Sequence, residues 1–312
     1  MKDKDEMMNT EIQPEQKIKQ QTRETKELRG KLSAQAETTS PRETSPGEHA
    51  AARESTETEK TRQDQRLAGT GMLYVVGIGP GTREEMTLRA VKAIEASEVV
   101  VGYKLYLELL GDLLQDKETV SSGMRREVER CHRAVQEAAG GKVTSLVSSG
   151  DAGIYGMAGI ALQVAQETCP GLQVEIIPGV TAASAAAAGL GAPLMHDFAV
   201  ISLSDLLTPW EKVEERLHRA GQGDFVVVLY NPKSRGRTRQ VIQAQEILSQ
   251  YRAGSTPVGI VRNAGRPGEA TCLTTLETML EEEIDMTSTV LVGNSQSYVS
   301  RGRMITPRGY AL

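Results

Sequence analysis

From Met72 onward, short apolar runs alternate with longer stretches whose apolar residues recur at helical spacing, and this alternation restricts the fold more than any other feature of the chain. Met72 to Gly77 (MLYVVG), Glu98 to Gly102, Lys142 to Ser149 and Val174 to Ile177 read as strands. A second set follows at Phe198 to Leu203, Phe225 to Leu229, Pro257 to Val261 and Ser288 to Val292. Arg83 to Ala96 carries Met86, Ala90, Val91 and Ile94 on one helical face. Met124 to Ala139 does the same with Val128, Cys131 and Val135, stopping at Gly140-Gly141, and Thr181 to Ala188 is an alanine-rich helix. Strands alternating with helices predict an α/β fold with parallel strands. The breaker-rich Gly189-Leu-Gly-Ala-Pro193 divides it. The expectation is an N-terminal α/β domain over 71–192 holding glycine loops and a C-terminal α/β domain over 193–312. An active-site cleft would lie between them.

Residues 1–70 contain no Phe, Tyr or Trp and are dominated by Glu, Lys, Arg, Gln, Ser and Thr. Such a segment buries too little apolar surface to offset its ordering entropy, so a disordered polar extension is expected. A net charge of -5 argues against general nucleic-acid binding, which calls for a basic surface. No run of about 18 apolar residues marks a membrane span, and the acids of the first 70 residues are unlike a transit peptide. Cys131, Cys169 and Cys272 are widely spaced, which suits buried thiols in a reducing cytoplasm better than disulfides or a metal cluster.

Three glycine loops carry the chemistry. Gly77-Ile-Gly-Pro-Gly81 stands between a strand and a helix, where glycines allow a sharp turn and close approach to a ligand. It departs from a dinucleotide fingerprint: Thr82 replaces the third glycine, and the second strand ends Val101-Gly102-Tyr103 without an acid. Glu98 stands at the start of that strand, pointing away from any ribose. Ser148-Ser-Gly-Asp-Ala-Gly-Ile-Tyr-Gly156 again follows an apolar strand. Asp151 there is either a ligand acceptor or the cap of the next helix. Pro178-Gly-Val-Thr-Ala-Ala183 is either a third ligand loop or a helix start capped by Thr181.

In this order the motifs G-x-G-P-G, S-G-D-x-G-x-Y-G and P-G-V-T-A resemble the tetrapyrrole methylase family, the class III S-adenosylmethionine methyltransferases, over essentially Met72 to Leu312. Ser121-Ser-Gly-Met-Arg-Arg-Glu127, His196 to Trp210, Leu229-Tyr-Asn-Pro-Lys-Ser234 and Val261-Arg-Asn-Ala-Gly-Arg266 resemble the branch that methylates C17 of precorrin-3B or its cobalt form, with ring contraction, in cobalamin biosynthesis. The resemblance implies a two-domain tetrapyrrole methylase fold, S-adenosyl-L-methionine as cofactor, a tetrapyrrole substrate and a homodimer; with the charge, apolar-run and cysteine readings above, the expectation is a cytoplasmic enzyme with no metal cofactor and neither nucleic acid nor membrane as partner. Pro80 would sit in the proline-rich loop at the floor of the tetrapyrrole trough. Pro80, Ser149, Gly150, Asp151, Ile154, Thr181, Ala182, Tyr230 and Ala264 would face the cofactor.

Met124, Arg125, Ser204, Asn231, Lys233 and Arg262 are the candidates for the substrate, with Arg126, Arg235 and Arg237 as further cations for its carboxylates. For Arg237 a solvated helix face is an equal reading. The sirohaem branch places a basic aspartate after the second strand. Here Gly102-Tyr103-Lys104 stands there, so that base does not transfer. Tyr103 and the pair His196-Asp197 are the catalytic candidates, the pair for proton transfer in ring contraction. Rival readings are methylation at another corrin position or of a sirohaem precursor, a nicotinamide-dependent oxidoreductase, and a tetrapyrrole-binding protein without turnover.

Overall fold

β1 (Met72–Gly77) buries Leu73, Val75 and Val76 completely, and β2 (Val99–Tyr103) buries Val99, Val100 and Val101. Strands apolar on both faces need helices on both faces. The computed structural model, which describes residues 71–311, shows this arrangement; the extension expected over 1–70 lies outside those residues. With β3 (Glu118–Ser122), β4 (Val143–Ser148) and β5 (Gln173–Ile177) they form a fully parallel sheet in the order β3-β2-β4-β1-β5. α1 (Leu88–Ala96) and α2 (Lys104–Leu110) cover one face through Ile94, Leu107 and Leu110. α3 (Glu127–Ala139) and α4 (Ala158–Thr168) cover the other through Cys131, Val135, Ala161 and Val164.

α5 (Ala182–Leu190) leaves β5 and packs on a different sheet. That second sheet has the order β10-β9-β11-β8-β7 and comprises β7 (Phe198–Ser202), β8 (Val226–Tyr230), β9 (Pro257–Arg262), β10 (Ala270–Thr275) and β11 (Ser288–Val292). Ala183, Ala186, Ala187 and Leu190 of α5 lie against Val228, Val261 and Leu291. A Cβ on Gly259 would stand 2.4 Å from Leu190 Cδ1, so the helix approaches only because β9 carries glycine there. α6 (Trp210–Gln222) and α7 (Gln240–Leu248) cover the opposite face with Val213, Leu217, Val241 and Leu248. β6 (Gly191–Ala192) joins β12 (Tyr298–Ser300) and β13 (Arg303–Ile305) in a small third sheet.

The α/β class therefore holds, but the parallel pattern does not extend to the second sheet. Only β7 and β8 run parallel there; β8/β11, β11/β9 and β9/β10 are antiparallel. β9 and β10 are joined by residues 263–269 alone, too short a link for a parallel crossover.

Two helices also start later than their periodicity suggests. Arg83–Glu85 is an isolated 3-10 turn, and α1 begins after Thr87, whose hydroxyl accepts from Ala90 N at 3.1 Å. α3 begins at Glu127 because Arg125 has φ +63°, which no right-handed helix accommodates. Glu98 Oε2 accepts from Val143 N at 2.9 Å, tying the amino-terminal ends of β2 and β4. Among the described residues no helix is long and apolar enough to cross a membrane, and no His, Cys, Asp and Glu cluster suits a metal.

Candidate functional site

The carboxyl ends of β1, β4 and β5 lie side by side, so the three glycine loops meet. Ile78 N donates to Ser148 O at 2.9 Å, Gly79 N to Gly150 O at 3.1 Å and Gly150 N to Gly79 O at 2.7 Å. The third loop closes on the same point: a Cβ on Gly179 would fall 2.2 Å from Gly150 O and 2.6 Å from Gly77 O. Asp151 fastens it, accepting from Gly153 N on Oδ1 at 2.8 Å and from Gly179 N on Oδ2 at 3.0 Å. Asp151 is thus a tether between loops and does not cap the next helix, α4, which begins at Ala158.

Thr181 precedes α5 without capping it. The cap comes from the second sheet. Tyr230, the last residue of β8, accepts from Ala183 N on its hydroxyl at 2.7 Å and shares a 2.6 Å hydrogen bond with Thr181 Oγ1. Burial raises the Tyr230 phenol above its ordinary range, so it stays protonated in this position.

Tyr155 reaches in the opposite direction from the second glycine loop. Its hydroxyl donates to Val200 O at 3.2 Å and accepts from Ser202 N at 3.3 Å, with its ring 5.8 Å from that of Tyr230. Arg266, in the loop after β9, donates from Nε to Pro80 O at 2.6 Å and from a terminal nitrogen to Ser149 Oγ at 2.5 Å. Between these cross-links lies a cavity of about 340 Å³. Tyr155, Asn231 and Asn263 line it with φ of +53°, +51° and +51°. Left-handed backbone is tolerated by asparagine and unusual for tyrosine, and such strain gathers at ligand sites.

Pro80, Tyr103, Met124, Ser149, Gly150, Asp151, Ile154, Thr181, Ala182, Tyr230, Asn231 and Ala264 all line this cavity. The remaining sequence candidates do not. His196 and Asp197 precede β7, whereas the cavity opens at the carboxyl end of its neighbour β8, so they stand about 15 Å away along the strand. Their side chains are 44% and 79% exposed, and Asp197 N donates to His196 Nδ1 at 2.8 Å. Arg262 pairs with Glu283 at 2.6 Å, and Arg126 with Glu129 at 3.3 Å. Arg125 is exposed, Lys233 is half-buried outside the cavity, and Ser204 Oγ accepts from Arg237 at 3.4 Å. Arg237 is buried and donates to Asn231 O at 2.9 Å, so it braces the strand end and is no solvated helix face.

The cavity also contains residues that were not sequence candidates. Tyr155, Asn263 and Arg266 stand inside recognised motifs, and the signal lay in their neighbours. Tyr106 packs edge-on against Tyr103 at 5.2 Å, with burial raising its phenol; Met286 and Thr287 lead into β11. Neither element carries a motif.

The arrangement is unsuited to a dinucleotide. The first loop spends Ile78 N and Gly79 N on neighbouring backbone and runs into the short 3-10 turn Arg83–Glu85, and α1 starts only after Thr87, so among the described residues no α-helix amino terminus directly follows that loop. Among the described residues, the α5 amino terminus at this cavity carries the Tyr230 hydroxyl, and α2 begins at the cavity wall with Leu105 and Tyr106. Among the described residues lining the cavity, Arg266 is the one cation, against a carboxylate, aromatic rings and two methionines. Such a donor set fits a compact zwitterion bearing a sulfonium better than a pyrophosphate.

The model of the family described as tetrapyrrole (corrin/porphyrin) methylases matches residues 72–280. A Salmonella typhimurium protein named "probable cobalt-factor III C(17)-methyltransferase" is 52% identical over 241 residues, covering 77% of this chain and all of that one. Some longer relatives are matched over about half their length, 45% and 54% in two cases. A solved structure titled as the methyltransferase CobJ superposes with a TM-score of 0.73 at 33% identity, covering 76% of this chain and 100% of that one. A uroporphyrin-III C-methyltransferase from Thermus thermophilus, solved in complex with S-adenosylhomocysteine, gives a TM-score of 0.54 at 26% identity, covering 72% and 92%.

Proposed function

The chain belongs to the tetrapyrrole (corrin/porphyrin) methylase family, and on that premise we propose that it transfers the methyl group of S-adenosyl-L-methionine to C17 of precorrin-3B or cobalt-precorrin-3, with ring contraction, in cobalamin biosynthesis. The observation that carries this reading is the meeting of the three glycine loops at one cavity bounded by both sheets. The name of the Salmonella relative supports the C17 position, and the S-adenosylhomocysteine in the Thermus structure supports the cofactor.

Residues fitted to hold the cofactor are Gly150, Asp151, Ile154, Thr181, Ala182, Tyr230 and Ala264, with Pro80 and Ser149 at the floor. When bound, the cofactor supplies an electrophilic methyl group on a sulfonium. The chain contributes placement and dryness: a carbon nucleophile held in line needs little acid or base help to react. Exposed Leu105, Met124 and Ile154 give the mouth an apolar rim suited to the face of a macrocycle. With His196 and Asp197 at the far end of the sheet, Tyr103 is the candidate for proton movement at the ring. Its phenol lines the cavity and has no hydrogen-bond partner among the described residues. By family resemblance the working form is a cytoplasmic homodimer, checked by light scattering of the purified protein.

The test is incubation with methyl-labelled S-adenosylmethionine and either precorrin-3B or cobalt-precorrin-3, followed by mass spectrometry and NMR of the product. Label at C17 of a contracted ring, with one S-adenosylhomocysteine per methyl, is the expected result. Label at another corrin carbon would reassign the acceptor. Calorimetric binding of NAD without S-adenosylhomocysteine would overturn the reading.

A further inference from the structure

Arg266 enters the cavity from the second sheet yet pairs with no carboxylate among the described residues. A guanidinium carries five N–H groups, and here two are used, one on Pro80 O and one on Ser149 Oγ, both uncharged acceptors. The remaining three have no protein acceptor among the described residues. The nearby acids are turned to other donors: Glu85 Oε2 accepts from Thr82 Oγ1 at 3.4 Å, and Glu269 Oε2 from Gly265 N at 2.7 Å. The backbone forces Arg266 into this place. A Cβ on Gly265 would fall 2.6 Å from Pro80 Cγ, and one on Gly81 would fall 2.4 Å from Arg266 Cγ, so the two loops lie in contact and the side chain cannot swing out between them.

A half-buried cation with unfilled donors, fixed by its own loop against a cavity wall, is complementary to a carboxylate, which a guanidinium binds with two parallel hydrogen bonds. We propose that Arg266 is the carboxylate-binding residue of this site, holding a ligand carboxylate across the junction of the two sheets while keeping Pro80 and Ser149 in place. The inference rests on the methyltransferase reading. Two ligands of that reaction carry the group: the amino-acid end of the cofactor and the acidic side chains of the macrocycle.

The test compares wild type, Arg266→Lys and Arg266→Met by calorimetry with S-adenosylhomocysteine and with methylthioadenosine, which shares the nucleoside but lacks the amino-acid end. KM for the macrocycle is measured in parallel. If the cofactor's carboxylate is the partner, Arg266→Met weakens S-adenosylhomocysteine about tenfold or more and leaves methylthioadenosine within about twofold. If the macrocycle's carboxylate is the partner, both nucleosides bind as in wild type and KM rises by about the same factor. Arg266→Lys keeps the charge and loses the planar fork, so it falls between the two in either case.

Equal weakening of both nucleosides with unchanged KM would reduce Arg266 to a loop brace and overturn the proposal. So would no change in any of the three. Failure of wild type to bind S-adenosylhomocysteine at all would instead defeat the methyltransferase reading.

Discussion

Gly79 and Gly150 exchange two backbone hydrogen bonds, of 3.1 and 2.7 Å, across the ends of β1 and β4, with φ of +72° and +67°. Each adopts a conformation that L side chains resist, and together they turn two strand ends into one floor beneath the cavity. Gly179 completes that floor.

Gly179→Ala therefore places a methyl group 2.2 Å from Gly150 O, a contact that backbone cannot relieve. The expected cost is about 3 kcal/mol or more, with loss of S-adenosylhomocysteine affinity. Gly123→Ala is the control. Nothing lies within 4 Å of its added Cβ, and its stability should stay within about 0.5 kcal/mol of wild type by urea titration.

Tyr230→Phe keeps the ring and removes the hydroxyl that caps α5. Ala183 N is left without its partner in a buried position, so stability should fall by about 1–3 kcal/mol. Because α5 starts at the cavity wall, cofactor affinity should fall with it. Calorimetry and urea unfolding on the same preparation check both, and an unchanged α5, read by hydrogen exchange, would contradict the assignment of the cap.

His196→Ala, by contrast, should leave turnover unchanged. The imidazole stands at the amino-terminal end of β7, remote from the cavity, and its side chain is 44% exposed. Its stability should change by no more than about 0.5 kcal/mol. A large loss of kcat would return the pair His196-Asp197 to the chemistry.

The Cys131 thiol is buried under β1 and β2, and burial pushes it up to about 11 from an ordinary value of 9.0. A proton held more tightly in the folded state stabilises fully below the ordinary thiol range. That contribution is lost as pH rises from about 9 toward about 11. The urea midpoint should decline across this interval, and Cys131→Ala should flatten part of the decline, at the cost of a small cavity. Cys272, Tyr106 and Tyr230, also raised by burial, act in the same direction and contribute to the remainder. Alkylation of native protein at neutral pH should spare Cys131, as read by mass spectrometry.

Much of this was legible in the chain. The run Val99 to Val101 has no polar alternation, so a strand buried on both faces followed directly. β3 was not legible: Glu118 to Ser122 is mostly polar because it is the sheet edge, and only its pairing with β2 makes it a strand. Nor was the turn at Arg125, since nothing in its residue type signals a positive φ. The place of His196, however, could have been read from strand direction, because ligands gather at carboxyl ends and His196 precedes its strand.

What the sequence determined by itself is local: where glycine is required, where continuous apolar runs give way to a period of 3.6, and which loops end strands. Those demands act within a few residues and need no partner. The tertiary structure decided which distant groups meet, such as Arg266 with Ser149, 117 residues apart, and Tyr230 with Ala183. Such pairs exist only once two sheets have packed and their loop-closure entropy has been offset by the buried core. The cavity is made of such pairs, which is why its walls were foreseen and its cross-links were not.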